Sequence, residues 1–273
     1  MTLAVAADPA QARAALAATA NRLTALLRTS TRPGAHAIGV WDVADTAVHL
    51  GNAWDILPAL ARREQPPLIE DVWDLGGLTT SLTSAATDHD LNAIADRIDA
   101  AASSFLALAA EPDGEARPWL VHGVEVPMTT FVCHLLNESL VHGFDIARAQ
   151  GRPWRIDAAD AALVLRGFLF PVLGALPPTA MVVPERVAGL SVRYRLHLRP
   201  GGSVDLVFED GAVRFEPPSP RRVDCHIGAN AASLFLVIWG RQGQWRSILT
   251  GGLISWGRRP WLGPRLRTLL RNP

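Results

Sequence analysis

The stretch HLLNESLVHGFD, from His134 to Asp145, decides the fold of the first half of the chain. Glu138 and His142 are four residues apart, so on a helix they project from one face about one turn apart. His134 lies one turn earlier on that face, and Asp145 is only slightly rotated from it. Polar groups facing inward among leucine and valine are costly unless they are paired or bind a metal ion. The stretch therefore predicts a core helix whose polar side chains are either paired with one another or metal-bound.

Three further segments show the apolar spacing of helices. One begins at Asp42, which can cap the helix, and Asp45 places a second carboxylate near the positive helix end. This helix is expected to run through His49 to about Leu57, just before Pro58. Helices of this length pack naturally as a bundle. The four expected helices cover residues 11–27, 42–57, 91–110 and about 127–150.

The apolar period changes from helical to alternating after about residue 185. Apolar and basic residues alternate from Val192 to Leu198, which predicts a half-buried strand with Arg193, Arg195 and Arg199 on a solvated face. Asp210–Gly211 is typical of a hairpin turn. The remaining expected elements are strands at 204–208, 212–216, 223–227 and 251–256, and helices at 231–239 and 264–271.

Strands followed by helices predict an α+β fold class, with the bundle and a small mixed domain as separate units. We expect domains at residues 1–175 and 186–273, joined by a proline-rich linker within residues 176–186.

Composition limits the classes of function. The 26 basic residues balance 26 acidic ones, which predicts no attraction to nucleic acid or to an anionic membrane. The sequence contains no lysine, so Schiff-base chemistry is excluded. Cys133 and Cys225 are too few for a disulfide framework, and the N-terminus does not match a secretory signal, so we expect a cytoplasmic protein. The longest apolar run, 167–176, is too short to span a bilayer.

A metal site needs at least one more ligand than Glu138 and His142 provide. His49, between Val48 and Leu50 on another expected helix, is the candidate. Two imidazoles and one carboxylate suit Zn²⁺ best, and also nickel, cobalt or iron, and leave the fourth position open. Spacing alone leaves an ordinary buried Glu–His pair equally open, because it cannot bring His49 to the other two.

The chain resembles the mycothiol-dependent maleylpyruvate isomerase family, a branch of the DinB-like metal-dependent four-helix bundles. Three stretches carry the resemblance: Trp41-x-Val43 with His49-Leu50, Asn137-Glu138-x-x-x-His142-Gly143-Phe144-Asp145, and Ala149-x-Gly151-Arg152-Pro153. Phe144 departs from a tryptophan common in the family. The C-terminal half is similar to the sterol-carrier-like domain of these proteins, with Gly228 leading into its helix and Trp239-Gly240-Arg241 ending it.

The resemblance implies that His49, Glu138 and His142 bind a divalent metal ion that activates mycothiol as a thiol cosubstrate. The implied reaction is either S-transfer to a small electrophile, which we favour, or thiol-assisted cis–trans isomerisation. A metal ion deprotonates a thiol whose ordinary pKa is about 8.5. The expected partners are mycothiol and a small-molecule substrate, with the protein a monomer or homodimer.

Other residues have two interpretations each. Asp145 either orients a ligand imidazole or pairs with Arg148 or Arg152 at the helix end. Arg241 is the candidate to bind a substrate carboxylate, against a solvated surface arginine. His134 is either a fourth ligand or, as we expect, a neighbour of the ligands. Cys133 points away from the ligand face, and tryptophans such as Trp119 are expected in the core or at a rim.

Three alternative functions remain. The first is maleylpyruvate isomerase in the strict sense. The second is a non-catalytic carrier of a lipid or small molecule, against which an open metal site argues. The third is a regulatory protein that keeps the bundle without turnover. The absence of a nucleic-acid motif disfavours DNA binding.

Overall fold

The computed structural model describes residues 6–111 and 114–271 and has a mixed α+β fold, which confirms the expected fold class. It divides into two compact units. The helical unit comprises residues 8–156, and the sheet unit comprises residues 157–271 with residues 6–7. The units therefore divide between Ile156 and Asp157, whereas the sequence places the first domain's end at residue 175. The limits of independent domains, 1–175 and 186–273, stay a prediction.

The helical unit is built on four long helices that bury their apolar faces against one another. Both α1 and α2 pack against α4 and α5. The unit contains α1 (Pro9–Arg28), β1 (His36–Ile38), β2 (Trp41–Asp42), α2 (Val43–Ala61), α3 (Leu75–Ser84), α4 (Leu91–Leu108), β3 (Arg117–Pro118), β4 (Glu125–Val126) and α5 (Met128–Ala149). The four helices expected from the sequence are thus confirmed.

Two details of this unit differ from the expectation. Helix α2 continues through Pro58 to Ala61, because Leu57, Leu60 and Ala61 are buried and packing outweighs the hydrogen bond that proline removes. Helix α3 lies in a segment expected to be a connection. Its glycines and hydroxyl side chains have low helix propensity, so the sequence carries little signal for it.

The start of α2 fixes the register of His49. The Asp42 side chain accepts from the Asp45 backbone N–H at 2.9 Å, and the Asp45 side chain accepts from the Asp42 backbone N–H at 3.3 Å. This reciprocal capping box satisfies two of the otherwise unpaired N–H groups of the helix. The expected cap is confirmed, and His49 follows in the second turn.

The sheet unit is a five-stranded sheet in the order β7-β6-β5-β8-β9, with β5 and β8 parallel and the other pairs antiparallel. Its strands are β5 (Val192–Arg199), β6 (Gly202–Glu209), β7 (Ala212–Glu216), β8 (Cys225–Asn230) and β9 (Leu253–Trp256). Its helices are α6 (Ala158–Val164), a π turn (Leu165–Leu169), α7 (Phe170–Ala175), α8 (Pro184–Val187), α9 (Ala231–Ile238), α10 (Gln244–Leu249), a 3₁₀ helix (Pro260–Arg265) and α11 (Leu266–Leu269).

The continuous helical segment Ala158–Ala175 has the length and hydropathy to cross a bilayer, and half of it is buried inside the protein. It is the one helix among the described residues that passes this test. Core helices of folded proteins pass the same test, so the finding is weak evidence for a membrane span.

The Asp210–Gly211 hairpin is confirmed, with φ angles of 52° and 75°. The solvated face expected for β5 is wrong at two positions. Arg193 is buried, with its Nη1 atom 3.1 Å from Asp205 Oδ2, and Arg195 Nε donates to Asp205 Oδ1 at 2.6 Å. The reason is register: β6 places Asp205 directly opposite Arg195, so the alternating arginines meet a carboxylate instead of solvent. Arg199, at the strand end, is exposed as expected.

Candidate metal centre

Helices α2 and α5 bring His49, Glu138 and His142 together. One ligand atom from each residue lies within 4.8 Å of the others. The imidazole rings of His49 and His142 meet edge to face with their centroids 4.8 Å apart. The spacing in α5 accounts for the neighbouring Glu138 and His142, and the packing of α2 on α5 supplies His49 from 89 residues earlier.

Glu138 lies at the centre of the cluster. Its Oε2 atom is 3.1 Å from His49 Nε2 and 3.6 Å from His142 Nε2. Its Oε1 atom accepts from Asn137 Nδ2 at 3.0 Å and lies 3.5 Å from His134 Nε2. One carboxylate thus faces three imidazoles, and a single oxygen faces the two candidate ligand histidines.

The surroundings keep Glu138 ionised. Burial by itself raises the pKa of this carboxyl, but the hydrogen bonds from His134 and His49 outweigh burial and hold the pKa well below its usual range. For His142, burial lowers the pKa of the imidazole, and the hydrogen bond to Asp145 opposes this only in part. The cluster therefore combines an anionic carboxylate with a neutral imidazole, which are the protonation states that metal ligation requires.

Asp145 is fully buried one turn beyond His142. Its Oδ2 atom lies 3.2 Å from His142 Nδ1. Of the two alternatives for Asp145, the structure shows the contact with the imidazole. Arg148 instead donates to the Ala37 carbonyl at 2.8 Å, and Arg152 donates to Thr29 Oγ1.

The hydrogen bond to Asp145 fixes the tautomer of a neutral His142. Because the ring proton is on Nδ1, the Nε2 lone pair points toward Glu138 Oε2. A lone pair facing an anionic oxygen is repulsive unless a cation lies between them. The chemistry of this donor set therefore fits a divalent metal ion.

His134 is held in the opposite sense. The Trp119 indole N–H donates to His134 Nδ1 at 3.3 Å, so a neutral His134 carries its proton on Nε2, facing Glu138. This nitrogen has no lone pair to give to a metal ion. His134 is accordingly a neighbour that orients Glu138, as expected, and not a fourth ligand.

The sequence did not assign Trp119 or Asn137 any part in the site. Trp119 was expected only in the core or at a rim, and it is indeed buried, but its indole N–H also sets the His134 tautomer. Trp41 lies against His49, with the ring centroids 5.1 Å apart. The signal for Asn137 was present, because it is the residue immediately before Glu138.

The remaining candidate residues are Arg241, Cys133 and Cys225. Arg241 belongs to the sheet unit, where its Nη1 atom donates to the Trp239 carbonyl at 2.6 Å. Cys133 and Cys225 are both buried, and neither forms a disulfide bond within the described part of the chain. Burial raises the pKa of the Cys225 thiol to about 11, so this thiol is protonated and unreactive at neutral pH.

Comparison with known proteins shows a likeness in structure alone. No family model and no curated protein sequence matches the chain. Two similar solved structures are the mycothiol-dependent maleylpyruvate isomerase and a histidine-to-alanine mutant of that enzyme, with TM-scores of 0.48 and 0.50. Each is 12% identical in sequence, and the matches cover 91% of this chain and 92% of the other. At this identity, the mutant structure indicates a shared fold and nothing finer.

Proposed function

We propose that the helical unit binds a divalent metal ion, Zn²⁺, through His49, Glu138 and His142. The single observation that carries this proposal is the convergence of two imidazoles on one carboxylate oxygen, with the His142 lone pair directed at it. Three protein ligands are typical of catalytic zinc sites, in which the fourth position accepts water or substrate.

The chain's own residues divide the work around that ion. Asp145 acts as a positioning residue that holds the His142 ring and its tautomer. Asn137 and His134 hold the other oxygen of Glu138, which keeps Oε2 directed at the ligand histidines. When bound, the metal ion lowers the pKa of a coordinated thiol, so that the thiolate is available at neutral pH.

The thiol we propose is mycothiol, and the reaction is its transfer to a small electrophile or thiol-assisted cis–trans isomerisation. Support comes from the motif resemblance around His49 and Glu138 and from the names of the two similar structures. We propose Arg241 as a binder of substrate carboxylate. The DinB-like and sterol-carrier-like assignments of the two units, a cytoplasmic location and a monomeric or homodimeric state belong to the same proposal.

Cobalt substitution tests thiol activation directly. Protein loaded with Co²⁺ should develop a sulfur-to-cobalt charge-transfer absorption in the near ultraviolet when mycothiol is added, because thiolate coordinates the open position. The His142→Ala variant should not. An unchanged spectrum in the loaded wild type contradicts thiol coordination, while the visible cobalt bands still report whether the metal site exists.

The type of reaction is decided by product analysis. The Zn²⁺-loaded protein is incubated with mycothiol and either maleylpyruvate or a panel of electrophiles. Isomerisation of maleylpyruvate supports the isomerase in the strict sense, and conjugate formation supports the transferase. Inactivity in both assays, together with no bound metal ion, favours the alternative of a non-catalytic carrier.

A further inference from the structure

The neutral total charge of the chain hides a strong segregation. Asp224 is the last acidic residue, and the 49 residues after it contain seven arginines: Arg241, Arg246, Arg258, Arg259, Arg265, Arg267 and Arg271. Since acidic and basic residues are equal in number overall, the residues before this segment carry the opposing excess of negative charge. The balance that predicts no attraction to an anionic membrane therefore does not hold locally.

The same segment exposes large apolar side chains. Trp245 and Leu249 are four residues apart on one face of α10, with 62% and 87% of their surface exposed. Ile254 and Trp256 project from one side of β9 and are also exposed. Trp261 follows on the 3₁₀ helix and is 62% exposed. Single exposed apolar residues are ordinary, but five within 17 residues are not.

These residues belong to neighbouring elements at one border of the sheet. β9 is the last strand in the sheet order, and both α10 and the 3₁₀ helix pack against it. We call this region, residues 244–267, the C-terminal edge. Trp256 is held in place because its ring stacks on His197 and His226, with centroid distances of 5.2 and 5.5 Å. The edge therefore presents an ordered aromatic side chain.

The arginines near the C-terminal edge keep excess positive charge. Arg258 and Arg259 share the single carboxylate of Asp224, at 3.5 and 3.7 Å. Arg246, Arg265 and Arg267 are exposed. Two guanidinium groups on one carboxylate leave a net positive charge, and the segment itself supplies no further acidic residue.

We propose that the C-terminal edge binds the surface of an anionic lipid bilayer. Tryptophan is favoured at the level of the lipid headgroups, and exposed leucine and isoleucine gain from burial at the acyl boundary. Arginine is attracted to the negative surface potential and forms forked hydrogen bonds to phosphate. Leu249 is largely exposed, and its aliphatic side chain favours lipid over nucleic acid. The phosphate backbone of a nucleic acid has no apolar surface for this side chain to contact.

Vesicle co-sedimentation of the full chain tests the proposal. One set of vesicles is pure phosphatidylcholine, and the other contains about 30% phosphatidylglycerol to give a negative surface potential. We expect the protein to bind the anionic vesicles at least about tenfold more strongly than the neutral ones. Binding should weaken markedly as salt is raised from about 0.05 to 0.5 M, because salt screens the attraction between the arginines and the anionic surface.

Two double variants test whether the exposed arginines and the exposed apolar residues carry the binding. Arg246→Gln with Arg267→Gln should weaken binding to anionic vesicles by about fivefold for each arginine removed. Trp245→Ser with Leu249→Ser should weaken it by about tenfold or more. The matched controls are Arg62→Gln and Val40→Ser, an exposed arginine and an exposed valine of the helical unit, which should bind as the wild type does. All six altered positions are exposed, so circular dichroism should show unchanged folding.

The proposal is overturned by equal binding to neutral and anionic vesicles, or by no binding to either at low salt. It is also overturned if the controls weaken binding as much as the edge variants do. Retention by single-stranded RNA without any vesicle binding would assign the edge to nucleic acid instead.

Discussion

At the scale of single residues, the site depends on how Glu138 divides its two oxygens. Oε1 is held by Asn137 and faces His134, while Oε2 is directed at His49 and His142. Because Oε1 is occupied elsewhere, Oε2 and the nitrogens of the two histidines converge as a set of possible metal ligands. An ordinary Glu–His pair, the alternative left open by the sequence, needs only one histidine at the carboxylate and not a lone pair facing it.

Asp145→Asn tests the orientation of His142. We expect Zn²⁺ affinity to fall about 10- to 100-fold, because a hydrogen-bonding partner behind a ligand histidine sets its tautomer and basicity. Affinity is measured by competition with a chromophoric chelator, and the ring tautomer by ¹⁵N NMR of the imidazole. The control is Asp96→Asn, an exposed carboxylate paired with Arg28. Unchanged affinity with a changed tautomer would refute the positioning role.

The sequence predicts one part of this site and not another, for a physical reason. Helical periodicity fixes the distance between Glu138 and His142, because both lie on α5. The approach of His49 depends on how α2 packs against α5, and no local rule determines that packing. The choice between the two partners of Asp145 likewise required coordinates, since Arg148 and Arg152 are close to it in sequence but donate elsewhere.

At the scale of elements, α5 can hold the site because its surroundings fit it closely. A Cβ at Gly143 would overlap the indole of Trp154, whose N–H donates to the Leu140 carbonyl at 3.1 Å. The Arg22 guanidinium lies over the same indole, 4.3 Å from the ring centre. A glycine is therefore required beside His142, because Trp154 packs against α5 at this position.

Gly143→Ala should destabilise the protein by about 1–3 kcal/mol, because overpacking outweighs the gain of about 1 kcal/mol in helix propensity. Gly77→Ala in α3, where an added Cβ meets open space, should instead stabilise by up to about 1 kcal/mol. Urea unfolding of both variants measures the free energies. Stabilisation of the protein by Gly143→Ala would show that the space around Trp154 is not limiting.

Asp205→Asn tests the ion pairs between β5 and β6. Burial by itself raises the pKa of Asp205. Hydrogen bonds from Arg195 and Arg193 outweigh burial and lower the pKa below the ordinary value of an aspartate. The carboxylate thus contributes stability above its unfolded pKa, and this contribution is lost as the pH falls through the lower folded value. We expect the variant to lose about 3 kcal/mol near neutral pH, because Arg195 loses its carboxylate partner and Arg193 keeps only Glu216.

This loss should stay constant from about pH 8 to 5. It should shrink below about pH 4, where the carboxyl of the unfolded wild-type chain becomes protonated, and disappear as the pH falls through the lower folded pKa. Urea unfolding across this range is the measurement. Glu209→Gln, which removes an exposed ion pair between the end of β6 and Arg214 of β7, should cost less than about 1 kcal/mol throughout. A pH-independent difference for Asp205→Asn would contradict the role of its charge.

Most elements are predictable from local patterns, and the exceptions share a cause. The alternation from Val192 and the Asp210–Gly211 turn fix the β5–β6–β7 meander, because both signals are local. The pairing of Arg193 and Arg195 with Asp205 is not local, since it requires β6 to place Asp205 directly opposite Arg195 in the sheet. Helix α3 was missed because its residues have weak intrinsic preference and tertiary packing decides its state.

At the scale of the whole molecule, average properties conceal local ones. The chain is neutral in total, yet its last acidic residue is Asp224 and only arginines carry charge after it. The two compact units also differ in the sites that they carry. The helical unit carries the candidate metal centre, and the sheet unit carries the C-terminal edge. The absence of lysine therefore excludes Schiff-base chemistry by lysine anywhere in the chain. A total charge of zero, in contrast, does not exclude a locally charged surface that binds an oppositely charged partner.

The central claim is that His49, Glu138 and His142 hold a metal ion, and elemental analysis of the purified full chain tests it most directly. After incubation with Zn²⁺ and removal of free metal, we expect about one ion per chain in the wild type and less than about a tenth in His142→Ala and Glu138→Gln. His122→Ala, which changes an exposed histidine, should keep the full amount. A wild type without metal, or triad variants that retain a full ion, would contradict the account.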